Sequence, residues 1–431
     1  MQALYLPSIP PNQYQFKCNS VFESVYFNNP IRQANVFVDT SAIESIRNEQ
    51  IVNAIQLICP NVFQNQNHDT NKASIFTNDV KIEALGGGLS NYLFTVKSQR
   101  DPDICVLVRI HVGEEDDRFV DRNVENKIMA WLSQQKLSPC YYGRFQNGRI
   151  EQFYQDHQTL VCHELKSPKF APQIAHQMAQ LHLLRAPLHI CKTELDQDAQ
   201  IWSRIDGWFH LIFQSLSHHD HSNNAKVKAL QVESYMYNEW KWLLSVLQSS
   251  STPSPSSSSS TSSLQALIFS RQTVFTHMDL QSLNILYPKS ESNPGINLID
   301  FEYAGHNPRA ADIANTFCEH CDCNHLCPDY PNEYPSKEQQ TIFLSNYLQF
   351  IKNNSHSKDH QYHIPSHEDS ENWNTFVEEF RNDVNRYSLL SHLGWSVWSV
   401  AQALNSPIDF DYIQYATIRM KGYHWAKENF F

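Results

Sequence analysis

Glycine is scarce in this sequence, with 11 glycines among 431 residues where average usage of ~7% would supply roughly 30. This scarcity excludes a collagen-like chain and a flexible glycine-rich one. Where glycines do cluster, we expect backbone positions that need a missing side chain. Gly86, Gly87 and Gly88 form such a cluster.

An excess of basic residues is also lacking. Lys and Arg number 33 against 45 Asp and Glu, a net charge of −12, so we expect no nucleic-acid partner bound through a basic surface. No run of ~18 uncharged apolar residues is present, and the first residues lack the basic start of a secretory signal. These absences predict a cytoplasmic protein without membrane insertion. The 10 cysteines show no disulfide spacing, which favours reduced thiols.

Length and composition predict two packed lobes or one very large domain. Residues 1 to 40 are rich in Asn, Gln and Pro, and we expect a poorly ordered leader there. Serine dominates residues 249 to 263, which predicts a flexible insert within a domain. We therefore expect an N-lobe over residues 41 to 151 and a C-lobe over residues 152 to 431.

Hydrophobic periodicity gives these lobes different characters. Short β-branched runs predict strands at Lys81 to Leu85, Tyr92 to Lys97, Ile104 to His111 and Thr273 to His277. Helical spacing predicts helices at Asp121 to Gln135, Ala171 to Leu184, Tyr235 to Leu247, Lys337 to Ile351 and Trp373 to Leu404. The fold class is therefore α+β, with a small strand-rich first lobe and a larger helical second lobe.

The segment HMDLQSLN follows the apolar run TVF, and INLIDFE comes shortly after it. Asp279 and Asn284 stand in the first segment, and Asp300 ends the apolar run of the second. This order matches the HxDxxxxN loop and the D-F-x metal site of kinases. It predicts phosphoryl transfer, with Asp279 accepting the hydroxyl proton and the other two holding Mg²⁺ on the phosphates.

The glycine cluster lies between two predicted strands, where backbone N–H groups could approach phosphates. Arg109 ends the strand VLVRI, and Glu125 lies on the following helix. Such a strand cation paired with a helix carboxylate would order nucleotide phosphates. The alternative interpretations are a structural hairpin and an ordinary surface ion pair.

The segments GGGLSNYLF, VLVRIHVG, NGRIEQF, VFTHMDLQSLNIL, INLIDFEYAGHNPRAADIANTFCEH and SPIDFDYIQYA together resemble the choline/ethanolamine kinase family, choline kinases most. The resemblance covers roughly residues 75 to 427 in colinear order. It implies a two-lobed protein-kinase-like fold that uses ATP and Mg²⁺ to phosphorylate a small amino alcohol, choline or ethanolamine, in the cytoplasm, and it implies a homodimer.

Site residues carried over by this resemblance fall into four groups. Asp279 matches the catalytic base, and Asn284 and Asp300 match the metal-holding pair. The positions matching the nucleotide site are Gly87, Gly88, Leu89, Ser90, Asn91, Tyr92, Leu93, Arg109, Glu125, Gln152, Tyr154 and Gln281. The positions matching the substrate pocket are Tyr303, Glu319, Trp395, Trp398, Phe410 and Tyr415.

Aromatic side chains and a carboxylate suit this substrate because a quaternary ammonium has no N–H to donate and binds to ring faces. Two positions depart from the family pattern, with Met278 where Asn is usual and Leu283 where Gly is frequent. These two departures suggest, as one alternative, a catalytically weak nucleotide-binding scaffold. Within the family, the alternative is an ethanolamine kinase. A protein kinase is disfavoured because no APE-like segment follows Asp300.

Two further clusters carry candidate metal ligands. The run CEHCDCNHLC at residues 318 to 327 offers several thiols and imidazoles that could bind Zn²⁺, but it lacks the two separated ligand pairs usual in zinc sites. The run from His218 to His221 reads as a polar loop. We expect structural thiols in the first run and no metal at either.

Overall fold

The computed structural model describes residues 32–63, 77–86, 91–111, 119–186, 199–217, 230–249, 261–290, 295–323, 327–354, 363–406 and 408–431. These residues divide into two compact units. The first comprises the described residues of Met1–Val112, Met129–His157 and Tyr287–Asn297, and the second those of Gly113–Ile128, Gln158–Leu286 and Leu298–Phe431.

Ten strands lie in the described residues: β1 Val80–Leu85, β2 Asn91–Ser98, β3 Cys105–His111, β4 Tyr141–Phe145, β5 Gly148–Gln152, β6 His157–Thr159, β7 Thr273–Thr276, β8 Ile285–Pro288, β9 Asn297–Leu298 and β10 Gly305–Pro308. The α-helices there are α1 Glu44–Ile58, α2 Arg122–Gln134, α3 Ala171–His182, α4 Gln200–Ser217, α5 Tyr237–Ser249, α6 Thr261–Arg271, α7 Arg309–Cys318, α8 Tyr330–Glu333, α9 Lys337–Asn354, α10 Ser370–Asn405 and α11 Tyr412–Phe430.

The first unit is built on a five-stranded antiparallel sheet in the order β1-β2-β3-β5-β4. Alternation along β3 buries Val106, Val108 and Ile110, as the period of two requires. Gly148 begins β5, and a Cβ there would lie 2.2 Å from the carbonyl oxygen of Arg109. Only glycine permits this close pairing of β5 with β3.

The N-terminal prediction is wrong from residue 32 onward. The segment forms a parallel bridge from Gln33 to Arg144 on β4, and Ala34, Val36 and Val38 are buried in the core of the first unit. Helix α1, which the sequence analysis did not predict, buries Ile51 and Ile55 in the same core. These apolar residues are spaced among Asn and Gln, so the composition of the segment conceals its buried face.

Helix α10 is the centre of the second unit. It packs against α11, α7, α6 and α4. The side chain of Asp369 caps its first turn by accepting a hydrogen bond from the amide of Asn372. A two-stranded sheet of β7 with β10 accompanies the helices. The strands β6, β8 and β9 form a further small sheet.

The predicted strands of the first lobe are confirmed to within one residue at each end. The serine-rich insert is shorter than predicted because Ser249 ends α5 and Thr261 begins α6, while residues 250 to 260 lie outside the described residues. Ser262, predicted as part of the insert, is buried and donates a hydrogen bond to Asn372 at 2.7 Å. Among the helices that the structure describes, none has the length and apolarity needed to cross a membrane.

Candidate active site

The HMD segment follows β7 directly and is held by a carboxylate from α7. Asp312 accepts hydrogen bonds from the backbone amides of His277 at 2.9 Å and Met278 at 2.7 Å. The His277 ring bonds through Nε2 to the carbonyl oxygen of Ile299 at 3.0 Å. These bonds tie the loop to α7 and to the chain just before Asp300, so the two predicted catalytic segments are adjacent.

Met278 adopts the left-handed backbone conformation, with φ of 65°. A side chain with a Cβ is uncommon there, and Asn or Gly adopts it at lower cost. The bond from its amide to Asp312 holds this conformation. Asp300 has the same φ of 65°, so a strained backbone occurs in both predicted catalytic segments.

Asp279 and Asn284 are in direct contact. The Nδ2 of Asn284 donates to the carbonyl oxygen of Asp279 at 2.8 Å and to its Oδ2 at 3.0 Å. The amide of Gln281 donates to the same carbonyl at 3.0 Å, which shapes the loop between them. Both hydrogen bonds from Asn284 to Asp279 use the Nδ2 of Asn284 as donor. The side-chain oxygen of Asn284 is therefore the atom that this residue can offer to a cation.

The charge state of Asp279 is set by its surroundings. Burial raises the pKa of its carboxyl well above the usual value. The negative charges of Glu319, Asp300 and Glu302 raise this pKa further, and Arg419 acts in the opposite direction. A carboxyl with a raised pKa is a better proton acceptor once it is ionised.

Three carboxylates converge beside this loop. One oxygen each of Glu125, Asp300 and Glu302 lies within 4.8 Å of the other two. Arg122 bridges the group, with its Nη1 2.9 Å from Glu125 and 3.1 Å from Glu302. Hard oxygen donors at this density match the preference of Mg²⁺, so the residues fit a divalent cation. Glu302, which the sequence analysis left out, follows Asp300 by two residues.

The predicted nucleotide residues that the structure describes belong to the first unit, except for Glu125 and Gln281. Gly87, Gly88, Leu89 and Ser90 lie outside the described residues. Asn91 begins β2 with its Oδ1 2.8 Å from the ring of His111, Tyr92 is exposed, and Leu93 pairs with Arg109 across β2 and β3.

Gln152 ends β5, and its side chain accepts a hydrogen bond from the amide of Cys140 at 3.1 Å. The ring of Tyr154 lies 4.9 Å from that of His157. Gln152 thus helps to join β5 to the residue before β4, while Tyr154 follows the end of the sheet.

Arg109 has a partner that the sequence analysis did not identify. Its Nη2 lies 3.4 Å from Glu151, and the same carboxylate accepts a hydrogen bond from Arg149 at 2.8 Å. All three side chains are buried. Glu125 pairs with Arg122 within the second unit. The predicted pair of Arg109 with Glu125 would join different units and stays a prediction.

The predicted substrate aromatics form a continuous series of rings in the second unit. The centroid of Tyr303 is 5.0 Å from that of Trp395, and Trp395 is 5.4 Å from Trp398. Tyr412, which the sequence analysis missed, lies 5.8 Å from Trp398 and 4.9 Å from Phe410. The series ends at Tyr415, whose ring is 6.0 Å from Phe410.

Glu319 is paired with a buried arginine. The Nη2 of Arg419 donates to its Oε1 at 2.7 Å, and the Nη1 of Arg419 lies 3.3 Å from the sulfur of Cys323. The same guanidinium lies 5.4 Å from the ring centroid of Tyr415. Glu319 is therefore held in place by Arg419 and has only part of its charge to offer to another cation.

The cysteine-rich run shows no metal site among the residues that the structure covers. Cys318, Cys321 and Cys323 are buried free thiols, and no group of ligand atoms suited to a metal is found there. Burial raises the pKa of Cys323 to about 11, which keeps its thiol protonated at neutral pH. His325 and the run from His218 to His221 lie outside the described residues.

The family model described as choline/ethanolamine kinase matches residues 82–424. "Probable choline kinase 2" of Arabidopsis thaliana is 29% identical over 357 residues, covering 81% of this chain and 86% of that protein. "Probable ethanolamine kinase A" of Dictyostelium discoideum is 28% identical over 359 residues, covering 82% and 87%.

Solved structures show the same architecture. An ethanolamine kinase of Plasmodium vivax matches with a TM-score of 0.66 at 23% identity, over 90% of this chain and 92% of that one. A choline kinase of Cryptosporidium parvum matches with a TM-score of 0.61 at 24% identity, over 82% and 91%. The two-lobed kinase-like α+β fold expected from the sequence is confirmed.

Proposed function

The chain belongs to the choline/ethanolamine kinase family, and from this membership we propose that it transfers the γ-phosphate of ATP to the hydroxyl of choline, giving phosphocholine for phosphatidylcholine synthesis. The observation that carries the proposal is the contact of Asp279 with Asn284 beside the carboxylates of Asp300 and Glu302. A proton acceptor and a set of cation ligands in one place are what phosphoryl transfer to an alcohol requires.

Asp279 is the proposed base. Its Oδ2 accepts a hydrogen bond from Asn284, which fixes the orientation of the carboxylate. The other oxygen, Oδ1, then takes the proton of the substrate hydroxyl as the new bond to phosphorus forms. The strained loop at Met278 presents this side chain, and Asp312 holds the loop through the backbone.

The oxygens of Asp300, Glu302 and Asn284 are the proposed ligands for Mg²⁺, with Glu125 beside them. Bound there, Mg²⁺ would neutralise phosphate charge as the phosphoryl group transfers. Arg122 keeps Glu125 and Glu302 close together by bridging their charges.

The nucleotide is the proposed ligand of the first unit. Backbone N–H groups of the segment from Gly87 to Leu93 would bind phosphates, with Arg109 as the strand cation. Glu151 and Arg149 hold the Arg109 side chain in a buried, ordered position. Gln152 and Tyr154 would contact the base end of the nucleotide, and Gln281 stands beside the catalytic Asp279.

Choline is the proposed substrate because an extended set of rings lies next to the base. Tyr303, Trp395 and Trp398 offer faces to a trimethylammonium group, which has no N–H donor to satisfy. Phe410 and Tyr415 continue this surface, and Glu319 adds negative charge.

Ethanolamine is the second candidate. The carboxylates of Asp279, Glu302 and Glu319 all act on the same region, and a primary ammonium could donate hydrogen bonds to such acceptors. Relatives named for either substrate match the chain at nearly equal identity. A cytoplasmic location and a homodimer stay predictions.

A turnover assay on the purified chain tests the proposal, with choline and ethanolamine compared side by side in the presence of ATP and Mg²⁺. We expect both to be phosphorylated, choline with the higher kcat/KM. Asp279→Asn should lower kcat on the order of 10²-fold or more while ATP binding is kept. Asp103→Asn, at an exposed position of the first unit, is the matched control. Wild-type kcat in Asp279→Asn, or turnover of neither alcohol, would contradict the proposal.

A further inference from the structure

Helix α4 contributes three side chains, those of Ile201, Arg204 and Trp208, to a cavity beside the proposed substrate pocket. Arg204 and Trp208, four residues apart on one face of the helix, line it together with Met278, Tyr303 and Trp395. None of these α4 residues was identified from the sequence. The cavity measures about 20 Å³.

Arg204 already binds to one of the proposed substrate aromatics. Its Nη1 donates to the carbonyl oxygen of Tyr303 at 2.7 Å, and its guanidinium lies 5.6 Å from the ring centroid of Tyr303. This distance is within the range of a cation–π interaction. The chain's own cation thus engages a ring that a substrate cation would use.

Trp208, on the same helix as Arg204, lies near both Tyr303 and Trp395. Its ring centroid is 6.4 Å from that of Tyr303 and 6.4 Å from that of Trp395. With Tyr303 and Trp395 only 5.0 Å apart, the three rings form a triangle around the cavity. Three converging rings would suit a quaternary ammonium if Arg204 did not already lie among them.

The presence of Arg204 should affect the two amino alcohols unequally. Its positive charge repels any ammonium, and that effect is common to both substrates. Arg204 also occupies a face of the Tyr303 ring. This weakens the binding of choline alone, because the trimethylammonium group of choline binds through ring faces. Ethanolamine binds through N–H donors and loses little when a ring face is taken.

We propose that Arg204 is a specificity-determining residue that disfavours quaternary against primary ammonium substrates, and so limits the preference for choline. This inference rests on the proposed function. It assigns to α4 a wall of the substrate pocket, made of Arg204 and Trp208.

Arg204→Gln tests the proposal, since glutamine removes the charge and keeps a donor for the Tyr303 carbonyl. The ratio of kcat/KM for choline to that for ethanolamine should rise about 2- to 30-fold, the range of one cation–π interaction. Arg204→Lys, which keeps the charge, should leave the ratio near its wild-type value. Arg381→Met is the matched control, because Arg381 pairs with Glu378 elsewhere in the second unit.

A binding measurement separates this proposal from the proposed function. Calorimetric titration with tetramethylammonium needs no turnover, and Arg204→Gln should bind this ion more tightly than wild type. Equal or weaker binding, or an unchanged ratio, would overturn the role of Arg204. If Arg204→Gln does not fold, Arg204→Met provides the same comparison. Turnover of neither alcohol by wild type, with tighter tetramethylammonium binding by the variant, would count against the kinase assignment and not against Arg204.

Discussion

The backbone amide of Met278 donates a hydrogen bond to Oδ1 of Asp312 at 2.7 Å, and this contact fixes the residue immediately before the proposed base. Asp312 is itself held by His182, whose Nε2 lies 2.9 Å from its Oδ2 and whose Nδ1 lies 2.6 Å from the hydroxyl of Tyr347. Burial alone would raise the pKa of Asp312, but its bonds and charge interaction with His182 lower it. A buried network thus keeps Asp312 ionised as an acceptor for two amides.

The first prediction concerns Asp312→Asn. An amide has one acceptor oxygen, so its NH₂ group must face one of the two backbone N–H groups that the carboxylate now accepts. We expect a stability loss of about 1 to 3 kcal/mol and at least a tenfold fall in kcat. Chemical denaturation and steady-state kinetics measure both.

Asp383→Asn is the control for Asp312→Asn. Asp383 is also buried, and it accepts hydrogen bonds from Ser270 at 2.7 Å and Arg271 at 2.7 Å, away from the catalytic loop. Its replacement should lower stability and leave kcat of the folded fraction nearly unchanged. An equal kcat loss in both variants would show that Asp312 acts through general stability and not through the loop.

The second prediction is a pH effect on the proposed base. Asp279 must be ionised to accept a proton, and burial together with Glu319 raises its pKa. Activity should therefore fall on acidification at a higher pH than an ordinary carboxylate would give. Glu319→Gln removes one repelling charge, so the acidic limb of the kcat profile should move to lower pH. An acidic limb that stays in place or moves to higher pH in Glu319→Gln would contradict this prediction. Glu378→Gln, at the surface, is the control.

Regular elements and the catalytic segments could be predicted because their signals are local. The strands β1 to β3 follow from alternation, and Asp279 and Asn284 were identified from one short motif, the HxDxxxxN loop. Long-range partners could not be predicted this way. Arg109 meets Glu151 across 42 residues, and that choice depends on the register of β3 with β5.

In the substrate region, too, the contacts between residues far apart in sequence could not be predicted. Arg204 reaches Tyr303 across 99 residues, and only the packing of α4 in the second unit brings them together. Trp208 gave no signal because one tryptophan on an amphipathic helix resembles any core residue. The buried N-terminal segment at Ala34, Val36 and Val38 was not predicted. Its apolar residues alternate over only a few positions, and the polar composition around them hides this signal.

The third prediction concerns the carboxylate group. Asp300→Ala should abolish activity, and excess Mg²⁺ should restore little, because the side chain also positions the phosphates. Glu302→Gln and Glu125→Gln should raise the Mg²⁺ concentration needed for half-maximal rate, since each removes one charge from the group. A Mg²⁺ titration of kcat measures this. An unchanged Mg²⁺ dependence in both glutamine variants would show that these carboxylates do not act on the cation.

A zinc-selective chelator serves as the companion measurement. It should change neither activity nor the unfolding midpoint, because the buried thiols of Cys318, Cys321 and Cys323 form no metal-ligating group in the described part of the chain. Unfolding by the chelator would reveal a structural metal in the cysteine-rich run.

The fourth prediction separates the serine-rich insert from the helix that follows it. Replacing residues 250 to 260 by a short Gly/Ser linker should change stability by less than ~1 kcal/mol, because loop-closure entropy varies with the logarithm of length. Kinetic constants should stay near wild type. Ser262→Ala should lower stability by at least as much as the linker replacement does, because it removes the buried hydrogen bond to Asn372. A large loss of activity in the deletion would show that the insert docks on the second unit.

The fifth prediction decides whether the ring series selects choline. Trp398 is buried between Trp395, at 5.4 Å, and Tyr412, at 5.8 Å. Trp398→Ala removes a ring face that trimethylammonium uses, worth about 0.5 to 2 kcal/mol, whereas a primary ammonium depends on its acceptors. We expect kcat/KM to fall more for choline than for ethanolamine, so the preference for choline over ethanolamine becomes smaller.

Trp202→Ala is the matched control for Trp398→Ala, because Trp202 lies 6.1 Å from Trp240 and outside the ring series. It also removes an indole, so it reports what any loss of packing does to both substrates. The two effects separate because lost packing lowers the active fraction for both alcohols alike, whereas a lost ring face changes their ratio. An equal loss for both alcohols in Trp398→Ala, or a wild type that prefers ethanolamine, would mean that the carboxylates near Asp279 and not the rings determine which alcohol is bound.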